Sequence, residues 1–190
     1  KHPRVALVLG GGGARGYAHV GVIKALQKAG VPIDLIVGTS AGSIIGALYA
    51  DSANSVHVER TMRKTHFFDF ADFTIVSSGN GFISGRKLQH FLLKNMQAKS
   101  FEELKIPLVV VATDLKSGKE KPLSSGPIAP AVNASSAMPG AVHPVKMYGL
   151  TLVDGGMVAQ LPVKTAKHFH PDIIIAVNID ANIKKKMPTS

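Results

Sequence analysis

Ser40 lies between two glycines in Gly38-Thr39-Ser40-Ala41-Gly42, after the apolar pair Ile36-Val37 and ahead of Ile44-Ile45. Gly-x-Ser-x-Gly is the pattern of a nucleophile elbow, a tight strand-to-helix turn that presents a serine hydroxyl. Such a turn strains the backbone at the serine. Side chains two residues before or after it would collide with neighbouring chain, which suits Gly38 and Gly42. The helix that follows aims its free N–H groups and the positive end of its dipole at the serine. A plain strand-turn-helix junction also uses Gly and Ser, so the pattern gains meaning only from what the rest of the chain brings to Ser40.

Gly10–Gly16 (GGGGARG) is the second such stretch. Gly11-x-Gly13-x-x-Gly16 fits the dinucleotide fingerprint, but that motif needs an acid at the end of the second strand. Here that strand ends in Gly38-Thr39-Ser40 and the nearest acid, Asp34, stands at its beginning, which disfavours a nicotinamide-dependent oxidoreductase. A phosphate-binding P-loop is excluded, because Tyr17 stands where Lys should follow Gly16. Consecutive glycines serve better as a row of unobstructed N–H groups facing a developing oxyanion. Losing one such donor costs about 3 kcal/mol of transition-state stabilisation in comparable sites. Arg15 fits three roles: bracing that loop, attracting an anionic substrate, or plain surface solvation.

A serine hydroxyl needs a base. Asp154, in Asp154-Gly155-Gly156, is the leading candidate: a carboxylate at a strand end, with glycines that allow close approach. His168 or His170 would complete a Ser–Asp–His set in chain order. Both follow a helical stretch, an ordinary place for cations to face a helix C-terminus. His19, one turn into the helix after the glycine loop, reads as structural.

These groups need a scaffold, and the apolar pattern supplies one. Strands are predicted at 4–9 (RVALVL), 33–37, 107–113 (PLVVVAT), 150–153 and 172–179 (DIIIAVNI). Helices are predicted at 17–29, from the elbow to about Ala50, at 56–64, 86–97, 128–137 and from Pro162 to His168, with a hairpin turn at Lys116–Lys119. Alternating strands and helices argue for a parallel sheet with helices on its faces. The reactive stretches then gather at the carboxyl ends of its strands. Phe67, Phe68, Phe70 and Phe73, followed by the loop Ser77–Gly81, read as core packing, with an apolar flap as the alternative.

Composition sets the outer limits. The chain has 190 residues, 45% of them hydrophobic, enough for one domain with a real core. It has no Cys, hence no disulfide or thiolate metal site. No apolar run approaches the roughly 20 residues of a membrane span, and no signal peptide is expected ahead of the first strand. Opening on Lys1 rather than Met suits a trimmed chain. The net charge of +10 is scattered, with Lys184-Lys185-Lys186 as its one run. It reads first as solvated surface, then as weak attraction to acidic membranes. With 6% aromatics and no Trp, a nucleic-acid partner is not expected.

Taken in chain order, GGGGARG, GTSAG and DGG resemble the signature of the patatin-like phospholipases, the single-domain bacterial branch in particular. The likeness runs over nearly the whole chain, through Gly81–Leu88 (GFISGRKL), Ala112-Thr113-Asp114 and 134–140 (ASSAMPG). Each motif alone is common; together they are specific. The resemblance implies an α/β fold, a three-layer α/β/α sandwich with a mostly parallel central sheet. It implies one catalytic domain over residues 1–190, cut short at its C-terminus because family members usually continue. It implies a Ser–Asp dyad without histidine, with Ser40 as nucleophile and Asp154 as base. The oxyanion hole falls to the amides of Gly11, Gly12 and Gly13, with Arg15, Gly16, Gly38, Gly42, Gly155 and Gly156 supporting the motifs. The expected activity is lipid acyl hydrolysis of a phospholipid or lysophospholipid, without metal or cofactor. Peripheral contact with a membrane and a cytoplasmic or membrane-surface location go with it, secretion and oligomeric state being left open. Val142-His143 depart from the aromatic residue and Pro usual in relatives, so the acyl pocket is not set by resemblance. The rivals are a catalytically idle lipid- or protein-binding module of the same fold and, more remotely, the dinucleotide-binding oxidoreductase.

Overall fold

Strand β1 (Val5–Leu9) is buried at every position, as a strand covered on both faces must be. Its side chains alternate. Leu7 and Leu9 enter one core, while Ala6 and Val8 enter another on the opposite face. The same division holds in β2 (Leu35–Thr39), where Ile36 opposes Leu35 and Val37. It holds again in β3 (Leu108–Asp114), where Leu108, Val110 and Ala112 oppose Val109 and Val111. The computed structural model describes residues 2–65 and 85–180. The phenylalanine cluster Phe67–Phe73 and the loop Ser77–Gly81 lie outside the described residues, as does the GFIS part of the family-like motifs.

The larger core lies under α1 (Tyr17–Lys28), α2 (Ala41–Ser52), α3 (Ser55–Arg63), α4 (Arg86–Asn95) and α5 (Ile128–Ser135). Helix α2 is buried from Ala41 to Asp51, and its small residues Gly42, Gly46, Ala47 and Ala50 let it lie directly on the sheet. Helix α4 is amphipathic as the spacing predicts, burying Leu88, Phe91 and Leu92. On the opposite face the smaller core is closed by α6 (Val163–Lys167) through Ala166, with Ala159, Leu161 and Val163. The expected three layers are therefore present, one much thinner than the other. No helix among the described residues is long and apolar enough to cross a membrane.

The sheet has a parallel heart, β3-β2-β1-β7, in which β7 spans Ile173–Val177. Its other strands, β4 (Glu120–Leu123), β5 (Val145–Met147) and β6 (Leu150–Asp154), pair antiparallel, so the whole sheet is mixed. Strands β4 and β5 do not register in the sequence pattern. They are short, largely exposed and poor in alternating apolar residues, and pairing with β3 and β6 is what makes them strands.

The pairing of β3 decides the site. Val111 pairs with Thr39 of β2 and with Pro122 of β4, so β2 and β4 occupy opposite edges. Ala112 and Thr113 pair with both β4 and β6, so β6 shares the edge of β2. Strand β2 runs parallel to β3 and ends at Thr39 opposite Val111; β6 runs antiparallel and ends at Asp154 opposite Ala112. Two strands thus arrive from opposite directions and stop on adjacent rungs.

Candidate active site

Ser40, one residue beyond β2, has φ 51° and ψ −119°, a conformation that L-residues avoid. Holding it there costs of order 1–3 kcal/mol, which the surroundings must over-determine. They do. The Ser40 N–H donates to Ser135 Oγ at 2.8 Å, and the Ser135 hydroxyl donates to the Val111 carbonyl at 2.5 Å. The Ser40 carbonyl accepts from the Ser43 N–H at 2.8 Å and the Ser43 hydroxyl at 2.6 Å. Ser40 is also the N-cap residue of α2, yet its hydroxyl does not cap the helix. A serine in that position ordinarily bonds the first turn. Here the hydroxyl is diverted to Asp154 Oδ2 at 2.9 Å.

The two motif glycines explain how the turn closes. A Cβ at Gly42 would run into the Leu9 carbonyl of β1, and one at Gly38 would stand 2.7 Å from the Gly42 carbonyl. Both approaches involve backbone, which cannot step aside, so only glycine fits.

Asp154 is 8% exposed. Its main chain is pinned by an N–H bond to the Ala137 carbonyl and by the Thr113 hydroxyl on its own carbonyl, each 2.9 Å. Its Oδ1 accepts the Gly156 N–H at 2.7 Å. Burial pushes the carboxyl pKa above the usual Asp range, and the bonds from Gly156 and Ser40 pull part of the way back. The result is a carboxylate more basic than a free one, aimed by Oδ2 at a serine hydroxyl. Gly155 sits against the Val111 carbonyl and Gly156 beside the Gln160 amide.

The glycine loop differs in one residue from the expectation. The Gly11 N–H donates to the Gln160 carbonyl at 2.9 Å, so it is committed to structure rather than to an oxyanion. Gly12 and Gly13 line the cavity, and neither N–H has a partner among the described residues. Arg15 braces the loop, its Nε donating to the Gly12 carbonyl at 3.2 Å, with a guanidinium nitrogen 3.7 Å from Asp180. Gly16 is buried at the end of the turn that leads into α1. Fully buried His19 supports the loop from beneath. Its Nε2 lies 2.7 Å from the Gly10 carbonyl, which can only accept, so Nε2 carries the proton. Burial lowers its pKa and keeps the ring neutral.

Ser40, Asp154, Gly12, Gly13, Arg15 and Gly156 share one cavity of about 460 Å³, with Ile44, Leu88, Met138, Val142 and Met157 forming apolar wall. Among the described residues no histidine lines it; His168 and His170 are exposed beyond the end of α6. Of the two residues that depart from the family pattern, Val142 lines the cavity and His143 is exposed. Sequence reading missed Ser135, Asn133, Ser136 and Gln160. Ser135 and Ser136 sit inside ASSAMPG, and that motif was their only signal.

A family model described as patatin-like phospholipase matches residues 7–167. An uncharacterised NTE-family protein of Mycobacterium tuberculosis is 36% identical over 95% of this chain and 50% of its own length. A lysophospholipase of Aspergillus fumigatus is 37% identical over 92% of this chain and 12% of its own. A patatin-like phospholipase domain-containing protein of mouse is 33% identical over 97% and 14%. This chain therefore spans half the length of its mycobacterial relative and a small part of the others. Among solved structures, VipD of Legionella pneumophila superposes with a TM-score of 0.64 at 15% identity, over 85% of this chain and 47% of that one. ExoU of Pseudomonas aeruginosa, in complex with SpcU, gives 0.55 at 20% identity, over 72% and 38%. At those identities the likeness is one of fold.

Proposed function

The chain belongs to the patatin-like phospholipase family, and from that premise we propose that it is a serine lipid acyl hydrolase with a Ser40–Asp154 dyad. The observation that carries this reading is the 2.9 Å bond from the Ser40 hydroxyl to Asp154 Oδ2, across 114 positions of sequence, at a strained elbow. Asp154 takes the hydroxyl proton as Ser40 attacks the ester carbonyl. The oxyanion settles against the unpartnered amides of Gly12 and Gly13. Asp154 then returns the proton to the departing alcohol, leaving an acyl-serine. Water, deprotonated in turn by Asp154, releases the fatty acid and restores the dyad. A carboxylate with a raised pKa takes the proton more readily than a free Asp, and its acid form is still far stronger than an alcohol, so it can hand that proton to the departing alkoxide.

The apolar wall of the cavity supports an acyl chain as occupant. A lysophospholipase among the relatives supports a phospholipid or lysophospholipid as substrate class. Peripheral docking on an anionic lipid surface is supported by the groove between α3 and α4, which is lined by Arg60, Lys64 and Lys94 among other cations. The deciding experiment treats the wild type and Ser40→Ala with a fluorophosphonate probe and with p-nitrophenyl butyrate. Label and hydrolysis in the wild type, both absent from a folded Ser40→Ala, are expected. Label elsewhere, or hydrolysis by the variant, would remove Ser40 from its role.

A further inference from the structure

Asn133 and Ser136 stand three residues apart at the C-terminal end of α5 and share a face of that turn. Ser135, between them, is turned towards the elbow and serves Ser40. Its two neighbours line the catalytic cavity instead. Asn133 is 3% exposed, and the part of it that is not covered borders the cavity. Ser136 Oγ is buried and without a partner among the described residues. A Cβ at Gly85 would overlap the Asn133 amide, so that glycine, at φ 68°, leaves the space in which the amide is held.

Buried amides and hydroxyls are nearly always paired, because leaving them dry and unpaired is unfavourable. A buried, unpartnered hydroxyl and a neighbouring amide beside Ser40, in a cavity with a largely apolar wall, point to a ligand that supplies the missing bonds. The acyl half of an ester has nothing polar beyond the scissile group, which the dyad and the glycine amides address. The alcohol half does. An amide and a hydroxyl are both donor and acceptor and both neutral, which matches a hydroxyl rather than a phosphate. Arg15, the one cation lining the cavity among the described residues, is already bonded to the Gly12 carbonyl.

We propose that Asn133 and Ser136 form a polar subsite that hydrogen-bonds a free hydroxyl on the alcohol half of the substrate, selecting acyl esters of polyols such as glycerol over esters of simple alcohols. The inference rests on the hydrolase reading above and names the part of the substrate that the cavity reads. A site built to bond a hydroxyl discriminates strongly against an analogue that lacks it.

The test compares 1-octanoylglycerol with propyl octanoate, which has the same acyl chain and a three-carbon alcohol without free hydroxyls. The wild type is expected to favour the glyceryl ester in kcat/KM by at least about tenfold. Asn133→Ala and Ser136→Ala, each checked for folding by its melting temperature, are expected to abolish most of that preference through a raised KM for the glyceryl ester. Asn133→Ser, which keeps a hydrogen-bonding group, restores part of it. A wild type with no preference overturns the subsite. So do variants that slow both esters in proportion, since that is the signature of a structural role. If Asn133→Ala does not fold, Ser136→Ala decides the matter alone, because its hydroxyl holds no bond whose loss could unfold the chain. Hydrolysis of neither ester overturns the hydrolase reading instead, and the subsite with it.

Discussion

Helix α4 separates two concavities of opposite character. Through Gly85 at its start and Leu88 it borders the cavity of about 460 Å³ that holds Ser40 and Asp154. Through Arg86, Lys87, His90 and Lys94 it borders a larger groove of about 870 Å³, which α3 completes with His57, Arg60 and Lys64. The groove is the more highly charged, with five Lys and Arg and no carboxylate among the described residues of its lining. The cavity is the one that holds the proposed dyad. In the open groove the field of such cations is screened within about 8–10 Å. In the cavity a single carboxylate has lost most of its water, and that loss, rather than the number of charges, changes what it can do. Reactivity follows desolvation and aim; net charge governs approach.

The largest effects should come from breaking the aim. Ser40→Ala is expected to lower kcat/KM on a soluble ester by at least about 10⁴-fold. Paired neutralisation of Arg60 and Lys94 in the groove is expected to leave it within about twofold. Comparable losses from the two would erase the contrast.

Asp154→Asn comes next, at about 10³–10⁴-fold. In the wild type the acid limb of the kcat profile should lie above the range of a free Asp, because burial raises the Asp154 pKa. The same shift has a stability consequence. Between the unfolded and the raised folded pKa, the folded state binds more protons, so wild-type stability falls as pH rises through that window and stays lower above it. Asn carries no such penalty. A folded Asp154→Asn should therefore melt above the wild type at neutral pH, with the difference shrinking as the pH falls below the folded pKa. An inactive variant that melts lower at every pH would mean that desolvation is not what distinguishes the carboxylate.

Ser135→Ala probes aim without touching the dyad. It takes away the hydroxyl that accepts the Ser40 N–H and donates to the Val111 carbonyl. A drop of about tenfold in kcat is expected, of the size of one lost hydrogen bond, with KM little changed and partial rescue by Thr. A loss confined to melting temperature would make Ser135 a packing residue only. The smallest effect belongs to the groove. Charge reversal at Lys64 and Lys94 should weaken sedimentation with vesicles containing phosphatidylglycerol, steeply at low salt and little at high salt, while soluble-ester turnover stays level. Salt-independent binding would deny the groove any part in docking.

The amino-acid sequence, read alone, determined the elements that depend on near neighbours in the chain. Apolar runs of strand length marked β1, β2, β3 and β7, glycines marked the elbow, and the 3.6-residue period marked α1 and α4. The set of short motifs, read as a family resemblance, put Ser40 and Asp154 together before any geometry did. Tertiary structure decided what depends on register. Strands β2 and β6 share one edge of β3, and this alone sets a serine and an aspartate 114 positions apart at 2.9 Å. Which glycine amides stay unpartnered was decided the same way. Gly11 gives its N–H to Gln160, a residue distant in sequence, and Gly12 and Gly13 do not. Asn133, Ser135 and Ser136 occur in one short helical stretch, yet one holds the elbow and the others face the cavity. A backbone hydrogen bond or a helix rotation is fixed by the partner across the gap, and a linear pattern carries no record of that partner.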